Sequence, residues 1–203
     1  MLVRKSAKDR KVEIIEKALR LADELGPDRL TTGAVAQAVG VTQPGIFRHF
    51  ATKQALWLAV AEHISELLRA AWHDALRPEQ TPMQNIAALV SAQLRQIEQT
   101  PALPAILFSR ELSTEYPGLR QVFASRLAEY QVLLTEELAA ARAAGSLRAD
   151  LVTADGVVLL TSLVQGLAIR WSLGARGFSL PDEGARLLAV QLALFAADNG
   201  GAR

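Results

Sequence analysis

Cysteine is absent from all 203 residues, which excludes disulfides and thiolate metal sites. Histidine is scarce too, with only His49, His63 and His73. None of them belongs to the paired Glu-x-x-His repeats that a di-iron helical bundle needs. No uninterrupted apolar run approaches the roughly 20 residues of a membrane span. The chain opens Met-Leu-Val-Arg-Lys, charged before a signal-peptide core could form. The expectation is a cytoplasmic protein with no membrane partner. There is also no P-loop, dinucleotide fingerprint or Ser-His-Asp arrangement. Glu136-Glu137 and Asp182-Glu183 are adjacent in sequence and so point apart on a helix. The expectation is no enzyme, no metal site and no cofactor.

What is present favours helices. Half of the residues are hydrophobic while aromatics are only 5%, and alanine and leucine dominate. The net charge of +1 hides an asymmetry. Residues 1–54 carry ten Lys and Arg against six acids, and the remainder carries twelve against fifteen. All five lysines (Lys5, Lys8, Lys11, Lys17 and Lys53) lie in the first part. A basic segment of this kind suits a polyanion, because neutralising phosphates releases their counterions.

The stretch from Leu30 to Lys53 reads as two short helices joined by a tight turn. Thr31 or Thr32 can cap the first helix, since a hydroxyl accepts from an otherwise orphan backbone N–H. Gly40 offers the left-handed conformation of a sharp turn. Thr42 caps the second helix, whose first turn is Gln43-Pro44-Gly45 and tolerates the proline. Val35, Val41 and Ile46 point into the angle between the two. This is a helix-turn-helix pattern, in which the second helix enters the major groove by its N-terminal residues. Gly40-Val-Thr-Gln-Pro-Gly-Ile-Phe-Arg-His-Phe50, followed by Lys53 and Leu56, resembles the DNA-binding domain of the TetR family of bacterial transcriptional regulators. One departure is Phe47, which stands where that family usually has Tyr and so lacks the phenolic hydroxyl.

Periodicity places the other helices. Ser6 and Asp9 suggest a capping box opening a helix from about Ala7 to Leu25, with Val12, Ile15, Leu19, Ala22 and Leu25 facing inward. A long helix follows from Thr52 to about Leu76, and Arg77–Pro82 breaks the chain. Further helices are expected from Thr81-Pro82 to Thr100, from about Leu103 to Leu112 with Phe108 on its apolar side, from about Leu119 to Ala144, over Thr153–Leu173, and from about Pro181 to Ala197. Thr153–Leu173 is apolar around most of its circumference and must be buried on more than one side. The expected fold is all-α with about nine helices. A three-helix head over 1–52 precedes a connector and helical domain over 53–203.

For DNA, Gln43 is the expected base reader, because its amide can pair in bidentate fashion with adenine. Pro44 and Gly45 offer apolar contact or close backbone approach, and Phe47, also a DNA-contact candidate, keeps a ring that can still pack. Thr32, Thr42, Arg48, His49 and Lys53 are expected to hold phosphates, with His49 alternatively packing on Phe50. Arg4 and Lys5 form a basic arm. The TetR resemblance implies double-stranded DNA as partner, a four-helix homodimer interface from the last two long helices, and a pocket for a small-molecule inducer. Candidates for that pocket are Trp72, Phe108, Phe123, Tyr130, Gln165 and Trp171. Each of them also reads as plain core packing, and Gln165 and Trp171 also as dimer interface. Few charges interrupt the apolar stripes, so a lipophilic effector is expected. Ser162, Gly166, Leu188, Leu192 and Phe195 are the interface candidates. The competing reading is a helical small-molecule carrier or partner-binding protein with a vestigial head.

Overall fold

The computed structural model describes residues 6–197. They form ten α-helices and, among the described residues, no strand beyond an isolated bridge between Leu147 and Ala196. The chain divides into two compact units. One runs to Glu66 and takes in Thr100–Ala124; the other holds Leu67–Gln99 and the chain from Ser125 onward.

The first unit begins with α1 (Ala7–Leu25), opened by the capping box of Ser6 and Asp9 and closed by Gly26 at φ 86°. A single 3-10 turn (Pro27–Arg29) leads to α2 (Thr32–Val39), which Thr31 caps by accepting from the Ala34 N–H. Gly40 takes the left-handed conformation at φ 76° and turns the chain into α3 (Gln43–Phe47), capped by Thr42. The long α4 (Lys53–Ala75) starts after Thr52, whose hydroxyl accepts from the Ala55 N–H at 3.0 Å. Ile14, Ala18, Leu30, Val35, Ile46, Leu56 and Trp57 are fully buried. The burial of Ile14 and Ala18 shifts the apolar stripe of α1 away from the expected one, leaving Val12 and Leu25 exposed.

The expected single helix from Leu103 to Leu112 is two. α6 (Leu103–Phe108) stops at Ser109, which is extended at ψ 113° and caps α7 (Arg110–Glu115). The total is therefore ten rather than about nine. The break also turns Phe108 outward, so that it is 50% exposed instead of packed on an apolar side. The start of α8 (Pro117–Ala143) completes this unit.

In the second unit, α5 (Pro82–Gln99) packs against α9 (Thr153–Leu173) and α10 (Leu180–Phe195). α5 and α10 meet closely: a Cβ added at Gly184 would collide with Leu94. By length and composition α9 could also cross a membrane, although polar residues interrupt every apolar run within it. Leu160, Val164, Leu167 and Trp171 on its inner face are buried in the unit's core.

Candidate functional site

α3 is short, and its surface residues are few. Thr42, Gln43, Pro44, Phe47 and Arg48 are exposed, while Gly45, His49 and Lys53 are half-buried. The Thr42 hydroxyl accepts from the Gly45 N–H at 3.3 Å and so is partly committed to capping. Thr32 is placed differently from the other expected phosphate holders. It is only 8% exposed, and its Oγ1 accepts from Gln43 Nε2 at 2.8 Å. Lys53 is the first residue of α4, at the positive end of a helix where a cation is disfavoured without an anion nearby. Lys11 Nζ lies 5.8 Å over the Phe50 ring. Arg4 and Lys5 fall outside the described residues.

The helical glycines here have room. A Cβ at Gly45 would stand 3.4 Å from Thr42 Oγ1 and Val41 Cβ, and one at Gly33 would stand 3.9 Å from Thr31 Oγ1. Neither residue has a positive φ. Packing within the head therefore does not demand glycine at either position.

The aromatic candidates are distributed over both units. Phe108 and Phe123 belong to the first; Trp72, Tyr130, Gln165 and Trp171 belong to the second. Trp72 and Tyr130 are brought together, with ring centroids 5.0 Å apart. The Trp72 Nε1–H donates to Gln93 Oε1 at 2.7 Å. The Tyr130 hydroxyl is buried with no hydrogen-bond partner among the described residues, and burial pushes its pKa up. Trp171 is buried, with its Nε1–H donating to the Phe178 carbonyl at 3.1 Å, and Gln165 is half-buried. Sequence reasoning missed Trp57 Nε1 and Ser65 Oγ, which are also buried without a partner among the described residues.

α9 and α10 leave an apolar face open. Val158, Leu159, Ile169, Leu173, Val190 and Leu194 are exposed, Leu173 by 83% and Leu194 by 65%. Ser162 and Gly166 lie on the exposed side of α9, and Gly166 faces open space. Leu188 and Phe195, by contrast, are buried in the chain's own core, while Leu192 is intermediate. The exposed large apolar residues of α10 are Val190 and Leu194, with the half-buried Leu187 and Gln191 beside them. An open groove of about 650 Å³ runs along this face, lined by Leu159, Leu163, Leu187, Val190 and Leu194 together with Arg148 and Asp155. Apolar residues left over beside a filled core stripe are the signal that could have found Val190 and Leu194.

Residues 14–60 match the family described as bacterial regulatory proteins, tetR family. Over 112 residues, 55% of its length, the chain is 28% identical to the nucleoid occlusion factor SlmA of a Marinomonas species. It spans 57% of that protein, and similarly little of its other curated relatives. Among solved structures it resembles a transcriptional regulator from Saccharomonospora viridis in complex with choline. The TM-score is 0.80 at 19% identity, with 95% and 100% of the two chains covered. It also resembles the transcriptional regulator FadR from Bacillus subtilis in complex with stearoyl-CoA, with a TM-score of 0.75 at 16% identity and 91% and 98% covered. Residues 14–60 thus carry the tetR-family head, and the all-helical fold is the one seen in solved TetR-family regulators.

Proposed function

We propose that the protein is a cytoplasmic, homodimeric transcriptional repressor that leaves a palindromic operator when a lipophilic small molecule binds. The observation that carries the reading is α3, which presents Gln43, Pro44, Phe47 and Arg48 to solvent on the basic part of the chain. Gln43 reads a base; Thr42, Arg48, His49 and Lys53 hold phosphates; Pro44, Gly45 and Phe47 allow close approach. Two such heads related by a two-fold axis would engage successive major grooves about 34–36 Å apart. The open apolar face of α9 and α10 supplies a self-complementary surface for that symmetry.

The effector half of the reading rests on Tyr130. A buried hydroxyl without a partner is costly, and a ligand acceptor would satisfy it beside the Trp72 ring. The similar regulators bound to stearoyl-CoA and to choline support small-molecule control. The apolar surroundings favour the lipophilic class. A thermal-shift screen across acyl-CoAs, free fatty acids, steroids and quaternary amines tests it. A ligand that prefers the folded state raises the melting temperature, and the same ligand should release the protein from DNA. If no compound raises the melting temperature and DNA release cannot be induced, the effector half fails.

The likeness to SlmA favours one other reading, a factor that uses the same head architecturally and without an inducer. Sequence-selective binding that no compound relieves would support it.

A further inference from the structure

From the packing of α2 against α3 we infer that Thr32 is a specificity-determining positioning residue: its hydroxyl orients the Gln43 amide for base reading and does not itself hold DNA. The inference rests on the proposed role of Gln43 in DNA reading.

Thr32 is the first residue of α2 and Gln43 the first of α3, eleven positions later. The turn at Gly40 brings them together, so that the exposed glutamine reaches back to the hydroxyl of a threonine that is buried as a residue. A glutamine amide has two N–H donors and one carbonyl oxygen. One N–H is committed to Thr32 Oγ1 at 2.8 Å. The other N–H and Oε1 remain, and a donor beside an acceptor is the pair that adenine N7 and N6 require. A long side chain that must be ordered on binding loses rotamer freedom at that moment. The Thr32 bond imposes that order beforehand and selects which edge of the amide faces outward. A buried threonine committed in this way is poorly placed to meet a phosphate.

The two roles for Thr32 predict different measurements. If Thr32 held a phosphate, removing its hydroxyl should weaken binding on every sequence and flatten the log-affinity against log-salt slope by about one unit. If it positions Gln43, the same change should leave the slope unaltered and lower the preference for the correct base pair. The test uses the full-length protein and a duplex site selected by the wild type from random DNA, with all four base pairs placed in turn at each position. Thr32→Val keeps the shape and removes the hydroxyl; Thr32→Ser restores the hydroxyl. We expect Thr32→Val to reduce discrimination about tenfold at one base pair per half-site, with Thr32→Ser close to wild type. That base pair should be the one Gln43→Ala affects, and Thr32→Val should add nothing in a Gln43→Ala background. Melting curves check that each variant is folded, and Thr32→Ala replaces Thr32→Val if the latter is not.

Uniform weakening with a flatter slope, or unchanged discrimination in Thr32→Val, overturns the positioning role while leaving Gln43 as a base reader. If Gln43→Ala itself keeps full discrimination, the base-reading assignment fails, and the role of Thr32 fails with it.

Discussion

The Ser109 hydroxyl donates to Asp28 Oδ1 at 2.6 Å, joining residues 81 positions apart within the first unit. Ser109 breaks α6 from α7 and caps the latter, accepting from the Leu112 N–H at 3.0 Å. Asp28 sits in the 3-10 turn between α1 and the helix-turn-helix pair α2 and α3. One serine thus performs a local capping task and ties a later segment of chain to the base of the head.

Ser109→Ala removes both roles and should cost about 1–2 kcal/mol of stability. Asp28→Ala removes only the tie, so it should cost less and add little on top of Ser109→Ala. Urea denaturation of the two single variants and the double variant measures the coupling. Fully additive losses would show that the bond contributes nothing beyond the cap.

Gly33 and Gly45 should separate stability from binding. Glycine inside a helix is less favourable than alanine by about 0.8–1 kcal/mol, and neither position needs it for packing or backbone geometry. Alanine at either site should therefore raise the unfolding free energy by about 0.5–1 kcal/mol. Gly45→Ala should at the same time weaken DNA binding, because a methyl group intrudes where α3 meets the groove. Calorimetry and anisotropy on the same samples check this. A Gly45→Ala protein that binds as tightly as wild type removes the close-approach role.

The exposed face of α9 and α10 predicts the assembly. Val190→Glu and Leu194→Glu place a charge on a surface the single chain leaves open, so folded monomers should result. Leu188→Glu should unfold the chain instead, since Leu188 is buried in its own core. Light scattering with circular dichroism distinguishes the two outcomes. A wild type that is monomeric at micromolar concentration contradicts the dimer.

How far the sequence was readable depends on whether a feature is local. The Ser6–Asp9 box, the cap at Thr42 and the left-handed Gly40 were legible because each is decided within a few neighbouring residues, whereas the cap of α2 stayed open between Thr31 and Thr32 until the structure placed it at Thr31. The bounds of α9 followed from its long apolar pattern. Ser109 was missed because Phe108 and Leu112, four residues apart, continue a helical apolar spacing across it. What breaks the helix there is a capping serine whose hydroxyl also reaches Asp28, far away in sequence. Leu188 and Phe195 were offered to a partner because periodicity marks an apolar residue without saying which of two surfaces it meets. The bond from Gln43 to Thr32 depends on how α2 and α3 cross, which composition does not encode.

Glu129 predicts an acid-sensitive contribution to stability. Arg69 binds it in bidentate fashion, at 3.0 and 3.2 Å, and Arg126 also pairs with it. The hydrogen bond from Arg69 holds its carboxyl below the ordinary value of 4.5, against the opposing effect of burial, and the charge of Arg126 adds to the lowering. A carboxyl that is more acidic in the folded chain stabilises the fold above its unfolded pKa. That stabilisation is lost as pH falls through the folded value. Glu129→Gln should therefore be less stable than wild type near neutrality, by about 1 kcal/mol. The two should converge as the pH drops below the ordinary carboxylate value towards the folded one. Urea midpoints measured between neutral and acidic pH test this; a difference that does not shrink in acid contradicts it.

Everything proposed for the head depends on α3 reading DNA, and a salt titration of binding measures that most directly. Wild type, Gln43→Ala and Lys53→Ala are compared by fluorescence anisotropy on the duplex flanking the protein's own coding sequence and on a scrambled duplex, from about 50 to 200 mM salt. Wild type should prefer the native duplex by at least about a thousandfold. Lys53→Ala should weaken both duplexes alike and flatten the salt slope by about one unit. Gln43→Ala should keep the slope and lose part of the preference, by about 1–3 kcal/mol. Equal wild-type affinity for the two duplexes, or a Lys53→Ala effect confined to the native one, would contradict DNA reading by α3 as assigned.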